Sequence, residues 1–579
     1  MIFISILTLI VAKALPSLNN KLSSIYFTRI SAIIFIYAGV LSFNSLYIQS
    51  IGSGIGIYSG LFHITQVSHL IEIFFLVIGS LILIGWPLIQ KEESKNIINY
   101  STDYSLIVLF STLGSSLLIS SSDLVSMYLS IELQSFGLYV LSTLYRDSES
   151  STSAGLKYFL LGGFSSCLIL LGAGIIYSYT GLTKFESIYS LISVSEITYI
   201  IQGLSLGLII IIVGFLFKIA AAPLHNWSPD VYDDTPTIVT IWLTILPKIS
   251  ILILLLELHT QIGLIGGLSS LTININGYAE MLDSLSSLTS SSSGKEIITN
   301  ISVVSPLNIL SGENNIYILK NVLLISSLLS LIIGTVVGLA QTRIKRLLAY
   351  STISHIGFIL LALAINTEQS IDSLIFYIIQ YSITNLNIFL IIIALSYIIN
   401  HSINNKTDLE IHIKNLQTNP NRIKDIKYIS ELKGQFFLNP LLSLSLSICL
   451  FSMAGIPPLI GFFSKQFVLY SAIQSGYNFI SIVAIIVSVI SASYYLKIIR
   501  VLHTETLDSK EVVEDSKNSL FLENSYEDSF NHSENTGTFL TNFHSFLISS
   551  LTLSILLFIL KPSLILNSTQ LLSLSLFNF

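Results

Sequence analysis

The chain has 579 residues, 52% of them hydrophobic and only 10% charged, with a formal net charge of −6. Water-soluble proteins carry roughly a quarter charged residues, so a water-facing globule is excluded. The small net charge does not point to nucleic acid. The two cysteines, Cys167 and Cys449, sit in apolar runs without metal-ligand spacing and read as packing residues.

Apolar runs of the length needed to cross ~30 Å of hydrocarbon recur along the chain. They predict helices near 1–15, 30–48, 69–90, 104–120, 122–144, 156–179, 197–222 and 236–258, then near 317–340, 346–365, 371–399, 440–470, 476–499 and 543–560. This is an all-α polytopic membrane protein of about 14 transmembrane helices, the first and fourth being the shortest. The opening MIFISILTLI has neither a basic segment before its apolar stretch nor an Arg-rich amphipathic pattern, and reads as the first membrane helix. A bias toward Ile, Leu, Ser, Asn, Tyr and Phe is that of an AT-rich, mitochondrial-type coding genome.

Two spans cannot be single straight helices. The one ending at 222 meets Pro223 and the polar stretch HNWSPDVYDDTP, and the one at 440–470 carries Gly455, Pro457 and Pro458 in its middle. Proline removes a helical hydrogen bond, and broken backbone at membrane depth persists only where protein or a water-filled cavity satisfies the freed groups. Three long loops interrupt the series: 259–316 is Ser/Gly-rich, 401–439 polar and mixed, 504–542 acidic. Each reads equally as a flexible surface loop or as a contact for a neighbouring subunit.

The 27 Lys and Arg residues test the helix assignment. Twenty fall in the odd-numbered loops, and only Lys184, Lys295, Lys320 and Lys561 fall on the opposite side. By the positive-inside rule the rich side faces the matrix or cytoplasm and the N-terminus the other side. Lys218, Lys248 and Lys465 fit neither surface. A lysine at the bilayer centre costs at least ~2.5–3.5 kcal/mol, and such residues usually face the bundle interior and mark ion or proton routes. Lys218 lies five residues before Pro223, Lys465 seven after Pro458, and Lys248 directly follows Pro247; Glu132 is the mid-helix acid in SDLVSMYLSIELQSFGLYVL. A buried lysine loses preference for its charged form and a nearby carboxylate restores it, so a Glu132–Lys218 pair that opens and closes would switch a proton. Lys157 and Lys497, near helix ends, are expected to snorkel, and Glu72 to be interfacial. His355 in YSTISHIGFILLALA is a packed histidine or a relay; His225, beside Pro223, leans toward function. No phosphate-binding glycine loop, cysteine cluster or metal-spaced histidine set is present, so nothing in the chain handles NADH or an electron.

The stretches GFLFKIAAAPLHNWSPDVYDDTPTIVTIWLTILPKIS, QTRIKRLLAYSTISHIGFILLALA, SMAGIPPLIGFFSKQFVLY and SIELQSFGLYVL resemble, over roughly 104–503, the antiporter-like subunits of respiratory complex I, NADH:ubiquinone oxidoreductase. PLHNWSPDVYDDTP and Lys465 are similar to the chain 2 branch. The chain 4, chain 5 and Mrp-type branches read more like PLHxWLPxAHxEAP, and chain 4 relatives tend to a glutamate at the lysine.

The resemblance implies N-terminal helices over 1–103 and two inverted five-helix repeats, 104–258 and 317–503, each with a discontinuous helix, then a C-terminal helix and tail over 543–579. It implies that Glu132 and Lys218 form a coupling pair, Lys248 a central relay and Lys465 the terminal donor toward the outer side. It also implies a fungal mitochondrial inner-membrane subunit with its N-terminus toward the intermembrane space and no cofactor of its own. NADH, FMN, iron–sulfur clusters and ubiquinone would belong to partner subunits. The partners implied are neighbouring antiporter-like and small hydrophobic membrane-arm chains and lipid, with no nucleic acid. A stand-alone Mrp-type cation/proton antiporter is the alternative, but it would want carboxylates as Na⁺ ligands, where only Glu132 faces three lysines. A structural scaffold would not keep three costly lysines and two broken helices.

Overall fold

Hydrocarbon offers no partner to a backbone N–H or C=O, which leaves helices as the spanning element for a chain of this pattern. A computed structural model describes residues 1–15, 24–47, 54–85, 103–145, 148–194, 198–261, 306–410, 425–504 and 541–577. The helices run α1 Ile2–Ala14, α2 Ser24–Ser45, α3 Gln66–Ile84, α4 Asp103–Ile119, α5 Leu124–Ser142, α6 Glu149–Thr180, α7 Phe185–Val194, α8 Thr198–Ile219, α9 Trp227–Asp234 and α10 Thr237–Gln261. They continue with α11 Pro306–Leu339, α12 Ile344–Ile365, α13 Glu368–Glu410, α14 Gln435–Leu438, α15 Pro440–Ala454, α16 Ile460–Gln474, α17 Asn478–His503, α18 Asn542–Leu556 and α19 Ser563–Phe577. Among the described residues, 11 helices are long and apolar enough to cross a membrane, and α1, α4 and α15 are shorter apolar helices.

The apolar pattern marks where hydrocarbon begins rather than where a helix begins, so several helices outrun it. The sixth span starts at Glu149 and the ninth at Pro306, and α13 stays helical to Glu410, inside the predicted polar loop. A small antiparallel hairpin, β1 Ile55–Ile57 with β2 Phe62–Ile64, and the short α7 were not predicted. Beyond 560 the chain turns at Pro562 into α19, packed along α13. Most of the Ser/Gly-rich loop (262–305), part of the polar one (411–424) and most of the acidic one (505–540) lie outside the described residues, with the basic residues they carry and Lys21, Lys91, Lys95 and Arg146.

α10 is buried along its apolar length and lies among α3, α4, α5, α8 and α13; α12 and most of α13 are buried as well. The outer helices instead expose large apolar side chains, among them Leu156, Phe164, Phe479 and Val489, as lipid contact requires.

One packing scheme occurs twice. A Cβ on Gly114 of α4 would fall 2.5 Å from the backbone nitrogen of Gln134 in α5, and one on Gly334 of α11 would fall 2.7 Å from that of Ser354 in α12. Gly137 and Gly357, at matching spacing, face Ser111 (3.0 Å) and Ser330 (2.6 Å). Small residues let membrane helices approach backbone to backbone where no hydrophobic effect drives them together. The starts of the second helices match too. Leu124 N–H donates to Thr183 O (3.0 Å) and Phe185 N–H to Ser122 O (3.1 Å), as Ile344 does to Lys427 (3.0 Å) and Ile429 to Thr342 (3.1 Å). The two joints sit on opposite faces. Near the first, Lys184 donates to Ser59 O (2.6 Å) beside the hairpin; at the second, Arg343 meets α9.

Gly114→Ala is expected to force α4 and α5 apart at a cost of about 1–3 kcal/mol, read as a lower thermal denaturation midpoint in detergent. Gly163→Ala, where a Cβ meets nothing within 4 Å, is the control expected to leave it unchanged.

Candidate functional site

Lys218 reaches its surroundings from the last turn of α8, where Pro223 stops the helix and the chain re-forms as α9. Trp227 donates from Nε1 to Phe217 O (2.9 Å), satisfying one carbonyl that the break leaves open. The Lys218 ammonium lies 3.6 Å from Glu132 Oε1 and donates to Ser135 Oγ at 3.3 Å, with both charged side chains largely buried. The two residues singled out in sequence are therefore neighbours in space. Tyr158 stacks on Trp227 with centroids 4.7 Å apart. Between that wall and α10 is a cavity of about 20 Å³, lined by Lys218, Gln134, Ser135, Tyr139, Pro247 and Ile251 among others; about 10–15 Å³ suffices for one water.

Lys248, 2% exposed, turns to α12: its ammonium donates to Thr352 Oγ1 (3.3 Å) and lies 5.4 Å from the centroid of the Tyr232 ring. Lys465, in the second turn of α16, donates to Met453 O (2.8 Å) and Ala454 O (3.0 Å). Those carbonyls end α15, which closes on Gly455 at φ 86°. A helix C-terminus carries unsatisfied carbonyls and the negative end of the macrodipole, where a cation is favoured. Lys465 occupies the place that the second broken helix creates for it.

α12 connects these two lysines. Thr352, His355 and Phe358 recur every three residues, which puts them along one face of the helix. Thr352 receives Lys248, and the Phe358 ring lies 5.8 Å from the Lys465 ammonium. Between them His355, fully enclosed, pairs through Nδ1 with Tyr377 OH (2.7 Å) and through Nε2 with Tyr495 OH (3.3 Å). His225 lies apart from this line, at the α8–α9 break, with its ring against Tyr350 (6.3 Å).

The face where α9 lies is cross-braced by charge. Asp230 receives Arg346 (2.9 Å) and Lys157, and Asp233, 2% exposed, receives Arg343 (2.5 Å). Lys157 therefore ends on a carboxylate rather than simply reaching for water. Lys345, counted in sequence with the surface lysines, is 3% exposed; it donates to Asp425 Oδ2 (2.7 Å) and Thr235 O (2.8 Å). The Glu72 side chain, 28% exposed, lies beside His69 at 3.7 Å.

Sequence reasoning overlooked Glu257, 5% exposed on α10, in a helix taken as uniformly apolar apart from Lys248. The buried amides of Gln134 and Gln380 were also missed. Gln380 accepts from Ser464 at 3.4 Å, the residue before Lys465. An amide placed among apolar residues was the available signal, but it carries no charge and escapes a census of Lys and Arg. Among the described residues no group of three or more His, Cys, Asp or Glu could hold a metal ion.

The family described as "NADH:quinone oxidoreductase/Mrp antiporter, TM" matches residues 121–299 and 296–491. NADH-ubiquinone oxidoreductase chain 2 of Rhizopus oryzae is 44% identical over the whole of both chains. NADH-quinone oxidoreductase subunit N of a Brugia malayi Wolbachia is 35% identical, with 72% of each chain covered. A chain of Thermus thermophilus respiratory complex I shares the fold at TM-score 0.64 and 22% identity, covering 98% of this chain and 99% of that one. A chain of the Mrp complex from Dietzia does so at 0.67 and 17%, covering 99% and 96%.

Burial pushes the Asp425 carboxyl up, but the Lys345 ammonium and two bonds from Thr237 (2.9 and 3.1 Å) outweigh it and hold it below its ordinary value. A depressed carboxyl stabilises above its unfolded value and loses that stabilisation only as pH falls through the folded one, so this tether holds at neutral pH and fails only below about pH 4. Asp425→Asn leaves the buried Lys345 without its counter-charge at every pH. It is expected to cost about 1–3 kcal/mol, read as a lower denaturation midpoint at pH 7.

Proposed function

The chain belongs to the NADH:quinone oxidoreductase/Mrp antiporter family, and we propose that it moves protons through a relay of Glu132, Lys218, Lys248 and Lys465, with His355 joining the last two and His225 at the first helix break. It is an antiporter-like, proton-translocating membrane subunit of a respiratory NADH:ubiquinone oxidoreductase. Full-length identity to a fungal chain supports that enzyme over an Mrp-type antiporter, with which this chain shares the fold.

The observation that carries the relay is that each buried lysine has a distinct polar partner and that one face of α12 links two of them. Lys218 exchanges its proton under control of Glu132: with the carboxylate at 3.6 Å the ammonium form is held, and as the pair opens the proton is released. Lys248 passes it along Thr352 and His355, whose imidazole can take a proton on one nitrogen and give one from the other. Lys465 delivers it to the outer side, from between the two halves of the second broken helix.

Each charge moved against the membrane potential costs ~2.3 kcal/mol per 100 mV. That energy comes from redox chemistry in partner subunits, which hold NADH, FMN, iron–sulfur clusters and ubiquinone. The partners of this chain are neighbouring antiporter-like and small hydrophobic membrane-arm chains, in the mitochondrial inner membrane. The face bearing Lys157, Arg343, Lys345 and Arg346 is the matrix side and the N-terminus lies in the intermembrane space, by the positive-inside rule. Residues 104–258 and 317–503 are two inverted repeats, a reading supported by the recurring Gly114/Gly334 packing and the matching joints on opposite faces.

Lys218→Met, Lys248→Met and Lys465→Met in the assembled complex, reconstituted into proteoliposomes, are each expected to lower the protons moved per NADH oxidised while the complex still assembles. Normal pumping and electron transfer in all three would end the relay reading.

A further inference from the structure

Lys218 and Lys248 face different surroundings. The cavity beside Lys218 reaches α10 at Pro247 and Ile251, whereas Lys248, the residue next to Pro247, turns toward Thr352 and Tyr232. Gln134 of α5 lines this cavity, and its amide reaches past the lining to Ser250 of α10. Gln134 Nε2 donates to Ser250 Oγ at 3.0 Å, and Ser250 Oγ lies 3.2 Å from Gln134 Oε1 and 3.0 Å from Pro247 O. Both residues are buried, Gln134 at 2% exposure and Ser250 at 0%.

A hydroxyl has a single hydrogen, so Ser250 cannot donate to Gln134 Oε1 and to Pro247 O together. It has two settings, one pointed at the cavity-lining amide and one at the backbone next to Lys248. Pro247 also lacks an N–H, which leaves the carbonyl one turn earlier, that of Leu243, without its helical partner. This turn of α10 therefore brings together a lysine, a hydroxyl and a carbonyl freed from the helical ladder.

We propose that Ser250, oriented by Gln134, is a hydroxyl gate that passes protons between the Lys218 cavity and Lys248. The proposal rests on the lysine relay. In the step, a hydronium that leaves the cavity beside the Gln134 amide gives a proton to a lone pair of Ser250 Oγ while the hydroxyl's own hydrogen leaves on the Pro247 side for a water and then the neutral Lys248 amine. At Ser250 one O–H bond forms and one breaks, so it is neutral before and after; the hydronium is left as water, Lys248 gains an N–H bond and becomes the ammonium, and no oxidant or reductant is needed. Gln134 cannot carry the proton this way; it is a positioning residue that selects which way the hydroxyl points.

The test uses the assembled complex in proteoliposomes, with complex content checked by native electrophoresis and protons counted per NADH oxidised across a pH series. Ser250→Ala and Gln134→Leu are expected to lose pumping as Lys218→Met does. Ser250→Thr, which keeps the hydroxyl, is expected to restore it with a wild-type pH profile. Pumping lost in Lys218→Met but normal in Ser250→Ala overturns the gate and leaves the relay standing; so does equal loss in Ser250→Thr and Ser250→Ala, which would mean that packing and not the hydroxyl matters. Normal pumping in Lys218→Met takes Lys218 out of the relay and overturns the gate with it. Should Gln134→Leu fail to assemble, because Gln134 packs against Gly114, the two Ser250 variants still decide.

Discussion

The constraint on which this molecule depends is the free energy of holding an ammonium away from water. Each lysine at the bilayer centre costs at least ~2.5–3.5 kcal/mol, and each of the three meets that cost in its own way. Lys218 has a carboxylate, Lys248 a hydroxyl and a tyrosine face, and Lys465 two carbonyls at the end of α15. Intact helices offer none of these carbonyls, because their own N–H groups already use them. The breaks at Pro223 and at Pro457–Pro458 are thus tied to the lysines energetically: the second broken helix supplies acceptors for a cation, and the cation satisfies acceptors that hydrocarbon would leave orphaned.

That coupling extends across the molecule through the charged face. α9, which follows the break beside Lys218, is held by Asp230 and Asp233 to Arg343 and Arg346 at the start of α12. α12 is also the helix whose Thr352, His355 and Phe358 run between Lys248 and Lys465. A displacement of α9 would therefore be felt in two places, at the Glu132–Lys218 pair and along the α12 line. Exposed ion pairs contribute little each, about 0–1 kcal/mol. The buried Asp233 and Lys345 matter more, because losing a partner strands a charge.

The spans, the breaks and the three isolated lysines were legible in sequence because each rests on a one-dimensional signal: apolar length, proline and the position of charge. Pairing was legible only through the family resemblance, not from the residues' positions along the chain. Glu132 and Lys218 are far apart in sequence, and only the fold brings their side chains to 3.6 Å. Lys345 misled for a related reason. A lysine in the first turn of a helix usually reaches water, but Asp425 and Thr235 O enclose this one. Gln134, Ser250 and Glu257 went unremarked because amides and hydroxyls are common in this serine-rich chain and the census weighed basic residues alone. The hairpin at Ile55–Ile64 and the tail helix α19 carry no periodicity strong enough to announce them.

Neutral groups between the lysines have a physical purpose on the proposed relay. Two ammonium ions about 10 Å apart repel by ~1.7 kcal/mol at an effective dielectric of 20, a factor of more than ten in occupancy. Lysines in direct contact would exclude one another's protons, and lysines joined only by apolar side chains would exchange none. His355, standing in the field of both Lys248 and Lys465, and the Thr352 and Ser250 hydroxyls offer the middle course: transit without a lasting charge. A proton arriving at one lysine then opposes retention at the next, so that control of the first pair, Glu132–Lys218, reaches the far end of the line without any large movement of the helices between.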